Sequence, residues 1–144
     1  HPRTRFVAGF IGSPAMNFMN CSVEEGTGGG GLSIRVNDQI RVPVPADRVA
    51  RYMPHKGKKM VFGIRPEHLF EVRDQPKEGW TPVSMLTDVV EPMGMETMVH
   101  FFVDGAPICA RVDPTAHAAP NEMMPLMMDM NQMHLIDATT NLVV

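Results

Sequence analysis

From Leu32 onward, apolar and polar positions alternate with a period of two along most of the chain. That spacing puts every second side chain on one face of a strand. Leu32, Ile34 and Val36 alternate with polar residues, and Ile40, Val42 and Val44 do so again after Asn37-Asp38. Asn and Asp tolerate positive φ, so this pair reads as a two-residue hairpin turn. Residues 16–23 read as an earlier strand, and residues 25–31 as a glycine-rich turn. Met60, Phe62 and Ile64 mark a further strand that Arg65-Pro66 ends, because proline lacks an amide hydrogen and holds its predecessor extended. The clearest segment is 82–112: Val83, Met85, Thr87 and Val89 share one face, Pro92-Met93-Gly94 turns the chain, and Val99, Phe101 and Val103 share the next face. Asp104-Gly105 then signals a hairpin into Ile108, Ala110 and Val112. Residues 113–121 read as a loop, and residues 123–128 and 141–144 as final strands. Pro125 should confine the first of these to an edge or a bulge.

Helical signals are confined to the start. Pro2 and Gly12 frame a short helix over residues 2–12, and Ser13-Pro14 breaks it. Many short strands with one short helix predict a mostly β fold, a small barrel or sandwich. Thirteen prolines and twelve glycines fit the many tight turns. Two halves divided near residues 75–81 would each form a barrel-like unit.

Composition narrows the classes. The 144 residues are 44% hydrophobic, enough to fold around a core without staples. The net charge of −3 builds no strong positive field for nucleic acid or anionic lipid. No apolar run approaches the roughly 18 residues of a membrane helix, and no basic-then-apolar leader opens the chain. The first residue is His1 rather than Met, which we read as the start of an excised domain. Cys21 and Cys109 lie far apart and read as two reduced thiols.

Catalytic and metal motifs do not emerge. Thr27 is followed by Gly28, Gly29, Gly30 and Gly31, but no Lys-Ser or Lys-Thr follows to hold β and γ phosphates. The six histidines, His1, His55, His68, His100, His117 and His134, show no paired ligand spacing. The serines sit in no nucleophile elbow. Six of the fourteen methionines, between Met123 and Met133, cluster near the end. Thioethers can bind Cu(I), but a pliable core is the reading we adopt. Arg48, Arg51, His55, Lys56, Lys58 and Lys59 form a basic stretch in which only Tyr52 and Phe62 are close aromatics, and it reads as a solvated face.

Four stretches carry a resemblance. RFVAGFIGSPAMNF over residues 5–18 resembles the junction that follows the ATPase domain in maltose-type and glycerol-phosphate-type ABC importer ATPases. VFGIRPEHL over 61–69, DVVEPMGMETMVHF over 88–101 and HLIDATTNLVV over 134–144 are similar to segments of the C-terminal domain of the same family. The resemblance implies an OB-like fold of the TOBE type, with residues 1–12 as the junction and 13–144 as the regulatory domain. It implies a cytoplasmic position at the inner face of a membrane importer. The implied partners are a second copy of the ATPase subunit, the permease subunits and a regulatory protein, with no nucleic acid. ATP and Mg²⁺ would belong to the parent protein. This chain carries no phosphate loop or signature loop, so no catalytic, cofactor or metal residue transfers to it. The methionine-rich last segment departs from the family pattern. The residues we single out as an interface or turn lock are Gly12, Ser13, Pro14, Asn17, Arg65, Pro66, Glu67 and His68. For Glu67 we expect a lock, its carboxylate pairing with Arg65 or accepting backbone donors. The competing function is a small-ligand sensor for an oxyanion or a sugar.

Overall fold

The computed structural model describes residues 15–26 and 30–144. The helix expected over residues 2–12 and the tip Thr27-Gly28-Gly29 lie outside them. Among the described residues, ten strands form two antiparallel sheets of five. The first sheet holds β1 (Asn17–Glu25), β2 (Leu32–Arg35), β3 (Arg41–Pro43), β4 (Lys59–Ile64) and β10 (His134–Asp137), in the order β10-β4-β1-β2-β3. The second holds β5 (Leu69–Glu71), β6 (Trp80–Pro92), β7 (Thr97–Val103), β8 (Ala106–Val112) and β9 (Met123–Asp129), in the order β5-β9-β6-β7-β8. The chain therefore changes sheet between Ile64 and Leu69, and β10 returns to pair with β4. Both inner faces feed one hydrophobic core, with Val23, Ile34, Phe62, Phe101, Leu126 and Leu135 almost fully buried. A mostly β fold of two antiparallel sheets is the architecture read from the period-two pattern.

Methionine fills much of this core. Met16, Met19, Met60, Met85, Met98, Met124, Met127, Met128, Met130 and Met133 are buried, while Met53, Met93, Met95 and Met123 are exposed. Unbranched thioethers bend into the irregular space between two twisted sheets, where a β-branched side chain would leave gaps. Both cysteines are free and buried, and burial pushes the Cys21 thiol up to about 12 and the Cys109 thiol up to about 11.

Several local expectations change. The connection from β2 to β3 is longer than a two-residue turn, because Arg35 pairs with Arg41 and residues 36–40 loop out. The Asn37 side chain organises that loop by accepting the amides of Gln39 at 2.9 Å and Ile40 at 2.8 Å. The basic stretch contains a one-turn helix, α1 (Val49–Tyr52), between two 3-10 turns, Ala46–Arg48 and Met53–His55. Val89 leaves the face of Val83, Met85 and Thr87, because the β6–β7 register shifts between Thr87 and Val89. An extra residue reverses the alternation beyond it. Pro125 lies in an interior strand, opposite Ser84 of β6, but β5 has already ended where Glu71 meets Leu126. The missing proline donor therefore faces no strand on that side. The final strand is His134–Asp137; residues 141–144 fold back on it through an isolated bridge from Val143 to Ile136 and backbone bonds from Asp137 to Leu142 and from Val144 to Leu135, without forming a strand. Glycine is needed at Gly79, whose φ is +90° and whose added Cβ would meet the Asn131 side chain at 2.3 Å.

One side chain ties the two sheets directly. Asn17, at the start of β1, is buried and donates its Nδ2 to the Cys109 carbonyl at 2.7 Å. Its Oδ1 accepts the Cys109 amide at 2.8 Å. β8 is the edge strand of the second sheet, so these backbone groups face away from β7. The carboxamide takes the place of a neighbouring strand there. Asn17→Ala leaves one donor and one acceptor buried without partners, and should cost roughly 2–4 kcal/mol in chemical denaturation. Asn17→Asp keeps the size but replaces the donating nitrogen by a second oxygen that faces the carbonyl. It should be at least as damaging, and a denaturation midpoint that stays put in either variant would refute the role.

Candidate functional site

The sequence-selected residues that the structure describes come together at the junction of the two sheets. Asn17 pairs with Ile64 at the end of β4, and Arg65 continues the chain in an extended conformation. Pro66–His68 then forms a single 3-10 turn, packed against β8 and β5. Asn17, Arg65, Pro66, Glu67 and His68 thus share one corner of the molecule. Gly12, Ser13 and Pro14 lie outside the described residues.

The expected carboxylate lock is not how this turn is held. Glu67 is exposed and makes no hydrogen bond or ion pair among the described residues. Backbone closure does the work instead, with the His68 amide donating to the Arg65 carbonyl at 3.0 Å and the Pro66 ring buried. A carboxylate that does tie distant segments is Glu71, four residues on. It accepts the Asp113 amide at 2.8 Å and Arg73 Nε at 2.7 Å. Partial burial works against its charge, but these donors together outweigh burial and hold its carboxyl below the usual range. Arg73 lies over Phe70, 4.2 Å from the ring centre, and Phe70 meets Trp80 edge-on at 4.8 Å. Sequence reading missed Glu71, because its partner Asp113 is 42 residues away.

A second feature of this corner is cationic. Arg48 and Arg51 both donate to the Tyr52 hydroxyl, at 3.1 and 3.0 Å. Arg48 also donates to the carbonyls of Asn131 and Met133, which places it beside His134. His134 lies opposite Gly63, two residues before Arg65. Burial first, then Arg48, Arg65, His68 and Arg51, hold the His134 imidazole below its ordinary range. His68 Nδ1 is buried without a hydrogen-bond partner among the described residues.

The outer face of the second sheet is apolar in the middle. Met123 stands opposite Leu86, Phe102 stands opposite Pro107, and the Thr87–Phe101 pairing brings Leu86 beside Phe102. Leu86, Phe102 and Met123 are 52%, 58% and 56% exposed, so an apolar row crosses four strands in the open. An open groove continues it past Val89, Glu91 and His100. Among the described residues, no group of three His, Cys, Asp or Glu side chains could hold a metal ion, and no helix is long and apolar enough to cross a membrane.

This two-sheet architecture is the OB-like β fold of TOBE domains. It superposes on the molybdate-bound cytoplasmic molybdate-binding protein ModG with a TM-score of 0.59, over 83% of this chain and 94% of that one, at 13% identity. Residues 12–69 match the family model described as the MalK OB fold domain. The chain is 36% identical over 140 residues to the sulfoquinovosyl glycerol transport ATP-binding protein SmoE of Agrobacterium fabrum, covering 96% of this chain and 36% of that protein. It is 32% identical over 145 residues to the sn-glycerol-3-phosphate import ATP-binding protein UgpC 1 of Rhizobium johnstonii, covering all of this chain and 36% of the relative. It is 39% identical over 110 residues to the maltose/maltodextrin import ATP-binding protein MalK of Photobacterium profundum, over 72% of this chain and 26% of the relative. The chain corresponds to the C-terminal OB/TOBE-like domain of carbohydrate ABC-transporter ATP-binding proteins. It spans about a third of the length of these relatives, and their catalytic domain is not covered.

Glu67 and Glu71 make contrasting predictions. Glu67→Ala should leave stability within about 0.5 kcal/mol, as for an exposed residue without partners. Glu71→Gln should lower the midpoint at neutral pH. A carboxyl whose folded pKa is depressed adds stability above its unfolded pKa and loses it as pH falls through the folded value. The gap between Glu71→Gln and the unaltered chain should therefore close as acid protonates Glu71. Thermal melts at pH 7 and below pH 4 test both statements, and a gap that stays constant with pH would contradict the second.

Proposed function

We propose that the chain is the regulatory and dimer-supporting domain of the ATP-binding subunit of a carbohydrate importer. ATP and Mg²⁺ would bind in the part of the parent that this chain does not cover, and the fragment itself would catalyse nothing. Its partners would be a second copy of the subunit and, through the parent, the permease subunits. Its place would be the cytoplasmic face of the membrane. The relatives named above are all import or transport ATP-binding proteins, which supports the assignment to an importer. The observation that carries the pairing role is the exposed row Met123, Leu86, Phe102 and Pro107. Contiguous apolar side chains on an open sheet face favour a protein neighbour over water.

A row of four side chains is small beside the ~1,200–2,000 Å² that specific stable interfaces bury. Tethering by the rest of the parent would supply effective concentration. The isolated chain should accordingly self-associate weakly, with dimer visible by sedimentation only near roughly 100 μM or above. Phe102→Asp should abolish that association. A tight dimer at nanomolar concentration, or a weak one indifferent to Phe102→Asp, would overturn the pairing role. Calorimetry with ATP should show no saturable heat, and micromolar binding would overturn the assignment of nucleotide chemistry elsewhere.

A further inference from the structure

Five of the eleven described lysines and arginines sit beside carboxylates, and three of the other six are gathered at one place. Arg35, Arg41, Lys56, Arg73 and Arg111 each approach an Asp or Glu. Arg48, Arg51 and Arg65 form no ion pair among the described residues, although residues 1–14 and 27–29 contain no Asp or Glu and every carboxylate side chain is therefore described. These three arginines are not scattered. Two guanidinium groups share one phenol oxygen at Tyr52, and that oxygen offers hydrogen-bond acceptance but no counter-charge. Arg48 reaches across to the carbonyls that precede His134, and His134 lies on the strand next to the one that ends in Arg65. His68 follows Arg65 by one backbone-closed turn. Like charges held this close repel, and water and salt relieve that only in part. The hydrogen bonds of Arg48 to backbone carbonyls account for its place, but no carboxylate balances the charges of Arg51 and Arg65 beside it.

The exposure of the group decides the kind of partner. Arg51 is exposed, and Arg65, His68 and His134 are half-buried. The arginine charges thus lie along a surface fed by α1 and the turn after β4, flanked by His68 and by His134 of β10. A surface of this kind fits an extended array of anions better than a single enclosed ion. We propose that this face docks an acidic protein surface, a partner that presents several Asp and Glu carboxylates to Arg51, Arg65 and the neighbouring histidines. Guanidinium forks match carboxylates two bonds at a time, which favours such a partner and sets its orientation. The face is distinct from the apolar row on the second sheet, and the proposal does not depend on the pairing role.

Fluorescein-labelled poly-L-glutamate is a suitable probe, titrated into the full 144-residue chain and followed by anisotropy. Binding is expected at low salt and should weaken by about tenfold or more when salt is raised to physiological strength. Arg51→Glu with Arg65→Glu should weaken it by about tenfold or more, whereas Lys59→Glu with Lys77→Glu, the same change in net charge, should not. Circular dichroism checks that each variant is folded. The milder Arg51→Gln with Arg65→Gln should give a smaller loss in the same direction, and serves if charge reversal unfolds the chain. Absence of binding at low salt, or equal loss in both double variants, would overturn the proposal. So would inorganic phosphate that displaces the probe at micromolar concentration, which would make this a small-oxyanion site. Tighter binding of single-stranded DNA or phosphatidylserine vesicles with the same Arg51 and Arg65 dependence would overturn it too, in favour of those anions.

Discussion

A carboxamide buried where the two sheets meet fixes how they align. β8 ends the second sheet, and its outward backbone at Cys109 would need water or another strand. Asn17 supplies both a donor and an acceptor there, 92 residues away in sequence and already fixed in β1 of the other sheet. Hydrophobic burial brings the sheets together without specifying their alignment, since methionine accommodates many packings. The Asn17–Cys109 pair supplies the alignment, because a carboxamide can satisfy both groups from one position only. The turn Pro66–His68, packed on β8, follows from that alignment, and so does the corner where the arginines and histidines meet.

The fold was legible wherever one face of a strand meets the core and the other meets solvent. Ile40, Val42 and Val44, Val83 and Met85, and Phe101 and Val103 alternate with exposed residues for that reason. The pattern fails where side-chain chemistry or distant pairing takes over. Asn37 organises a five-residue loop by capping two amides, so a residue pair that looked like a tight turn is part of something longer. β10 is four residues long with Leu135 and Ile136 both buried, which gives no alternation to read. Its pairing with β4 crosses some seventy positions of sequence. The bulge before Val89 is equally silent, since an inserted residue shows only against its partner strand.

The candidate site divides along the same line. Family resemblance singled out Asn17 and residues 65–68, and the structure gathers them at one corner. Resemblance did not tell which carboxylate does the holding, because Glu67 and Glu71 look alike in sequence. Only the approach of Asp113 and Arg73 separates them. The basic stretch around Arg48 and Arg51 looked like an ordinary solvated face. Its character changes once Met133, His134 and Arg65 are brought beside it, since Arg48 then serves as a structural donor and Arg51 is left facing outward.

Amide hydrogen exchange at Cys109 tests the central claim most directly. An edge-strand amide with only solvent beyond it opens locally and exchanges well before the protein unfolds. If Asn17 joins the sheets, the Cys109 amide exchanges only through global opening. Its exchange free energy then equals the unfolding free energy from denaturant titration, and matches that of Phe62 in the interior of the first sheet. An exchange free energy more than about 2 kcal/mol below the global value would show that β8 opens on its own. The two sheets would then be packed together but not coupled through Asn17.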